Sequence, residues 1–217
     1  MSGAQPFVVL VHGLWMHGFA MELQRIHLGR LGFEAHCHSY HSVGATLSEN
    51  ARQLADFART RPEVQIHWLG HSLGGLVILR MLELAPDLPP GRVVLVGTPA
   101  MGSYAARMLA RHHLGELALG RSLTEWYARS EPHRFPGRDI GVIAGTRSFG
   151  LGTLLVAPDL PEPNDGVVTV EETAWPDARD RVVLPVSHSG MLLSRPVAVQ
   201  AAAFLRHGRF EHGATTD

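Results

Sequence analysis

The sequence is poor in cysteine: Cys37 is the only one in 217 residues, which excludes an intramolecular disulfide and leaves no cysteine pair for a metal or redox motif. Lying in a strand-like run, it reads as a small hydrophobe. Charge is sparse too. Asp, Glu, Lys and Arg make up 18% of the chain, the formal net charge is -1 and the signs are interspersed. No basic stripe suggests nucleic acid, and no polybasic segment suggests an anionic membrane. Long apolar runs are also missing. Phe7 to Val11 is too short to span a bilayer, and Met1 to Pro6 carries no basic region of the signal-peptide kind, so a cytoplasmic location without stable membrane insertion is expected. Internal repeats and low-complexity tracts are absent. What is present is 45% apolar residues, enough to bury a substantial core, so residues 1–217 are expected to form a single domain.

Apolar runs alternate with segments of helical spacing through the chain. Phe7 to Val11, Phe33 to Tyr40, the run ending at Trp68-Leu69, Arg92 to Val96, Ile140 to Gly145 and Arg181 to Val186 read as strands. Met21 to Leu31 reads as a helix stopped by Gly32, and Thr46 to Thr60 as a helix capped by Thr46 or Ser48 and closed by Pro62. Strands that alternate with helices through the chain imply an α/β fold: a doubly wound, mostly parallel sheet flanked by helices on both faces. Tyr104 to Leu119 and Ser122 to Ala128 are expected helices of a short cap-like insertion around residues 100–138, the segment able to cover a site at the strand ends.

The chemistry concentrates at Gly70-His71-Ser72-Leu73-Gly74-Gly75. A strand-like run ends there and helical spacing begins, which is the strand–turn–helix context of a G-x-S-x-G nucleophile elbow with Ser72 at its apex. Such a turn holds the serine in a strained backbone conformation and brings strand and helix so close that side chains at Gly70 and Gly74 would collide. The helix behind Ser72 directs its N-terminal N–H groups toward charge developing on the substrate. A second element is His12-Gly13-Leu14, following the first strand. A tetrahedral oxyanion needs two N–H donors, one from the residue after the nucleophile and one from such a loop, which assigns Leu73 and Leu14. Trp15 and Met16 either wall the substrate pocket or belong to the core.

A serine hydroxyl needs a base near neutral pH. Of 14 histidines, His188 alone lies in a Ser- and Gly-flanked loop directly after the final strand, where the order serine, acid, histidine places the base. His12 and His71 flank the oxyanion donors and read as braces for those turns. For the acid, Asp165 is preferred because Asn164-Asp165-Gly166 is a tight turn that presents a carboxylate; Asp159, Glu162 and Asp139 remain alternatives, with Asp177 and Asp180 behind them. His36 and His38 share one strand face, but no Asp, Glu or Cys is spaced to complete a metal shell, so no metal is expected.

Taken in order, His12-Gly13-Leu14, Gly70-His71-Ser72-Leu73-Gly74-Gly75, the stretch Gly97-Thr98-Pro99-Ala100-Met101-Gly102-Ser103, Asn164-Asp165-Gly166-Val167-Val168 and Ser187-His188 resemble the small bacterial lipases and esterases of the α/β-hydrolase family. The resemblance implies a carboxylic ester hydrolase with Ser72, Asp165 and His188 as nucleophile, acid and base, and Leu14 and Leu73 as oxyanion donors. It implies no cofactor, and a small-molecule ester or lipid as substrate, with short to medium acyl chains. Related lipases often carry a longer cap and some a calcium site; neither is evident in this sequence. The same residues would serve a thioesterase or acyltransferase, a membrane-associated phospholipase, or, in another class, a ligand-binding protein without turnover. Oligomeric state is left open.

Overall fold

Short runs of valine, isoleucine and leucine bury both their faces most readily in a parallel sheet covered by helices. The computed structural model describes residues 5–61, 65–110, 115–128, 135, 137–149 and 160–212. In it the buried, mainly apolar strands are β1 (Phe7–Val11), β3 (Ile66–His71), β4 (Val93–Val96) and β5 (Ile140–Gly145), and the more polar, partly exposed β2 (Glu34–His38) and β6 (Asp180–Leu184) lie at the edges. The strands make one sheet in the order β2-β1-β3-β4-β5-β6, and every neighbouring pair is parallel. The chain steps from β1 outward to β2 and then returns to the other side of β1 as β3. That reversal opens a crevice at the carboxyl ends of β1 and β3, where ligands of such sheets bind.

Among the described residues, six α-helices accompany the sheet: α1 (Glu22–Arg30), α2 (Leu47–Arg59), α3 (Leu73–Leu84), α4 (Tyr104–Ala110), α5 (Gly115–Tyr127) and α6 (Arg195–His207). The two-residue period of a strand divides the core. Val9 and Val11 of β1 pack with Leu54 of α2, Leu76 of α3 and Trp126 of α5, whereas Val8 and Leu10 pack with Leu28 of α1 and Phe204 of α6. The sheet is therefore covered on both faces.

Local signals set most of the boundaries. Thr46 caps α2 by a reciprocal pair of bonds, the Glu49 N–H to Thr46 Oγ1 at 3.2 Å and the Thr46 N–H to Glu49 Oε2 at 2.7 Å. The other expected cap, Ser48, joins helices instead of capping one, because its hydroxyl meets the Glu125 carboxylate on α5 and accepts from the Arg80 guanidinium on α3. Pro62 lies outside the described residues. The strand expected over Phe33 to Tyr40 is confined to Glu34–His38, and the last strand ends at Leu184 rather than Val186. Of the helix expected from Tyr104 to Leu119, α4 and the first part of α5 are described and residues 111–114 lie outside the described residues; α5 bends at Gly120, whose φ of 71° and ψ of 168° interrupt the helix. The part beyond the bend is fastened down. Arg121 N–H donates to the Val43 carbonyl at 3.2 Å, and the buried Ser122 hydroxyl donates to the Ala45 carbonyl while accepting from Asn50 Nδ2.

Histidines contribute to the packing. His36 stacks on Phe57 with ring centroids 4.8 Å apart, and His38 lies tilted against the same ring at 5.2 Å. Among the described residues, no group of three or more His, Cys, Asp or Glu side chains is arranged to hold a metal ion. His38 Nε2 is buried without a partner, while His67 Nδ1 accepts the Arg92 N–H at 3.0 Å. Burial pushes both imidazoles down to about 4. An unfolded histidine takes its proton near pH 6.5, so the stability these rings contribute as neutral groups is present above that pH and is lost as pH falls from about 6.5 to about 4. His38→Leu removes one such ring without breaking a bond at Nε2. Its melting temperature is expected to gain on that of the parent by about 3–6 °C between pH 7 and pH 5. Thermal melts at the two pH values measure this, and a difference independent of pH contradicts it.

Candidate active site

Ser72 stands alone between the last residue of β3 and the first of α3, with φ 53° and ψ -123°, in a region that side-chain-bearing residues occupy only at a cost of about 1–3 kcal/mol. Packing enforces the turn. A Cβ at Gly70 would meet the backbone of Gly75, and one at Gly74 would fall on the carbonyl oxygens of Val11 and His12. A Cβ at Gly75 would strike the Thr98 side chain. With those atoms absent, β1, β3, α3 and the end of β4 close on one another, and the Ser72 N–H donates to the Val96 carbonyl at 2.9 Å. His71 and Leu73 are buried, whereas Ser72 remains half-exposed.

The turn after β1 lies against this elbow: a Cβ at Gly13 would be 3.2 Å from Ser72 Cβ. His12 fixes the turn. Its Nδ1–H donates to the Gly13 carbonyl at 2.9 Å, its Nε2 accepts the Tyr40 N–H at 3.4 Å, and its ring stacks on Tyr40 with centroids 4.3 Å apart. Burial lowers the pKa of His12, which keeps the ring neutral and this bonding pattern intact. Leu14 follows directly and packs its side chain toward the α2/α3 core. Met16 packs toward the opposite core, with α1 and α6, and Trp15, at φ 58°, is 59% exposed. Leu73 is the first residue of α3, so its N–H is among those with no acceptor inside the helix.

Across the crevice, Asp165 and His188 are buried together, with His188 Nδ1 2.7 Å from Asp165 Oδ2. A carboxylate can only accept, so the proton lies on Nδ1 and Nε2 is left bare. The other carboxylate oxygen, Oδ1, accepts the N–H groups of Val167 and Val168 at 3.0 and 2.8 Å. Asn164 shapes this turn by accepting the Gly166 N–H at 2.8 Å and donating to the carbonyls of Leu160 and Pro161. The alternative acids are engaged elsewhere. Asp139 pairs with Arg92 at 3.0 Å and Arg179 at 2.6 Å, Asp180 accepts the Phe210 N–H at 2.7 Å and meets His212, and Glu162 accepts the Asn164 N–H. Asp159 lies outside the described residues.

Three further residues complete the surroundings. Gly97, at φ 55°, ends β4 so close to the pair that a Cβ there would be 3.2 Å from both Asp165 Oδ2 and His188 Nδ1. A glycine at the end of a strand-like run is visible in the sequence, but its proximity to residues so far along the chain is not. His71, expected to brace its own turn, instead contacts the downstream loop: its Nε2 is 3.0 Å from the His188 carbonyl oxygen. Glu172 is buried beyond the Asp165 turn, accepting the N–H groups of Thr169 and Tyr104 while its carbonyl accepts that of Met101. It thereby fastens the start of α4 to the loop that carries Asp165.

Residues 8–214 match a family model described as the alpha/beta hydrolase family. Among curated proteins, the pimeloyl-[acyl-carrier protein] methyl ester esterase of Methylococcus capsulatus is 36% identical over 104 residues, covering 45% of this chain and 39% of that one. The protein of the same name from Vibrio vulnificus is 34% identical over 111 residues, covering 48% and 42%. The matched region thus spans about two-fifths of the length of these relatives. Among solved structures, the Bacillus licheniformis lipase BlEst2 in its mature form superposes with a TM-score of 0.74 at 19% identity, covering 95% of this chain and 93% of that one. The metagenomic carboxyl esterase MGS0156 follows with a TM-score of 0.65 at 21% identity, covering 87% and 66%. The structural likeness is one of fold, and the family match runs through every strand, from β1 to beyond β6: the chain belongs to the alpha/beta hydrolase family.

Proposed function

We propose that this protein is a serine hydrolase that cleaves carboxylic esters of short to medium acyl chains through an acyl-enzyme on Ser72. The observation that carries the reading is the buried 2.7 Å contact between His188 Nδ1 and Asp165 Oδ2, in a loop bonded through the His188 carbonyl to His71, the neighbour of a serine held in a strained turn. Asp165 fixes the imidazole tautomer and stabilises the imidazolium. His188 Nε2 takes the Ser72 proton as Oγ attacks the ester carbonyl, the N–H groups of Leu14 and Leu73 stabilise the oxyanion, and the same proton passes to the leaving alcohol. Water then attacks the acyl-enzyme, giving a proton to His188, which passes it to Ser72 Oγ as the acyl–Oγ bond breaks and the carboxylic acid leaves.

An apolar substrate suits the surroundings. Trp15, Phe19, Met101, Phe149 and Leu193 are exposed large apolar side chains on segments following β1, β4, β5 and β6. Of the expected substrate contacts, Trp15 is exposed, in keeping with that role, whereas Met16 packs against the core. The relatives' names, esterase and lipase, point to the same reaction class.

Two variants test the reading. Ser72→Ala is expected to lower the turnover of p-nitrophenyl butyrate by about 10^4-fold or more while the thermal melt stays cooperative; parental turnover in this variant contradicts the proposal. Gly97→Ala places a methyl group against both His188 Nδ1 and Asp165 Oδ2 and adds backbone strain at φ 55°. Its kcat is expected to fall about 10–100-fold, as displacement of a catalytic group does. Steady-state kinetics on the folded variant check this, and an unchanged kcat contradicts the proposed roles of that pair.

A further inference from the structure

We infer that His71 is a positioning residue for the base: its Nε2–H, donating to the main-chain carbonyl of His188, locks the loop that carries the base to the elbow that carries the nucleophile. The inference rests on the proposed roles of Ser72, His188 and Asp165. A carbonyl oxygen only accepts, so the 3.0 Å contact requires the hydrogen on His71 Nε2 and leaves Nδ1 bare. That bare nitrogen is buried without a partner, in a residue 1% exposed. A buried unpaired acceptor is costly, and a phenyl ring would fill the same space without one. The bond from Nε2 is what the imidazole supplies in return.

Its target is well placed to matter. The His188 main chain is held on both sides, its N–H by the Asp165 carbonyl at 2.8 Å and its carbonyl by His71. The two imidazole rings lie 4.7 Å apart at 47°, so the His71 ring also limits where the base can swing. Burial pushes the His71 pKa down to about 3. The ring therefore remains neutral beside the imidazolium that forms on His188 during each turnover, adding no like charge to oppose it.

The test compares full-length His71→Phe, His71→Gln and Ser72→Ala with the parent on p-nitrophenyl butyrate, with thermal melts alongside. In glutamine, Nε2 is three bonds from Cβ, as in histidine, so the amide can donate to the same carbonyl. His71→Phe is expected to lose about 10–100-fold in kcat with KM within about twofold, and His71→Gln to stay within about threefold of the parent. If His71→Phe does not fold, His71→Asn, whose amide is one bond shorter, takes its place with the same expected loss. Parental kcat in the Phe or Asn variant, or equal losses in the Phe and Gln variants, overturns the inference while an inactive Ser72→Ala leaves the serine mechanism standing. An active Ser72→Ala overturns that mechanism and this inference together.

Discussion

Backbone crowding at one point is the constraint on which the rest of the structure depends. β1, β3 and α3 approach so closely at Gly70, Gly74 and Gly75 that a single added carbon at any of them would strike a neighbouring chain or side chain. The cost of Ser72 at φ 53° is met by what surrounds it: a six-residue strand buried throughout and a helix whose first seven residues are buried. The strain is held rather than relieved, because relaxing Ser72 would separate β3 from α3 and open the half of the core that α3 fills. Ser72 is thereby held half-buried at the sheet's carboxyl rim.

Hydrogen bonds join the surrounding loops to this point, in addition to the apolar packing of residues such as Leu14 and Met16. His12 and Tyr40 hold the turn after β1, and Asn164 and Asp165 hold the turn after β5. His188 is tied to Asp165 through both its side chain and its N–H. Buried polar networks of this kind specify one geometry where they are well satisfied. Neutral rings are part of this arrangement: His12 and His71 are each kept uncharged by burial, so the crevice gathers three imidazoles without gathering three positive charges. Glu172 extends the same network to the start of α4, joining the cap to the loop that bears Asp165.

Much of this was legible in the sequence because its signals are local. Valine-rich runs mark strands buried on both faces, Gly-His-Ser-Leu-Gly marks the strand-to-helix turn, Asn-Asp-Gly marks a turn that offers a carboxylate, and Thr46-Leu47-Ser48-Glu49, with Thr46 or Ser48 as cap, marks where α2 begins. What escaped depends on distant residues meeting. Nothing near Gly97 tells that Asp165 and His188 will lie against it, and nothing near His71 tells that its partner is the carbonyl of residue 188. Leu14 and Met16 pack into opposite cores while Trp15 between them points outward, a division set by a positive φ that the apolar run alone does not reveal. The bend of α5 follows from the approach of Val43 to Gly120, again a tertiary cause.

The central claim is that Ser72 is an activated nucleophile, and covalent labelling tests it most directly. Incubation with a fluorophosphonate, followed by intact-mass and peptide mass spectrometry, is predicted to give one adduct per chain, located on Ser72, and none once the protein is unfolded. A protein that stays unlabelled, or that carries the adduct on another residue, would contradict the account.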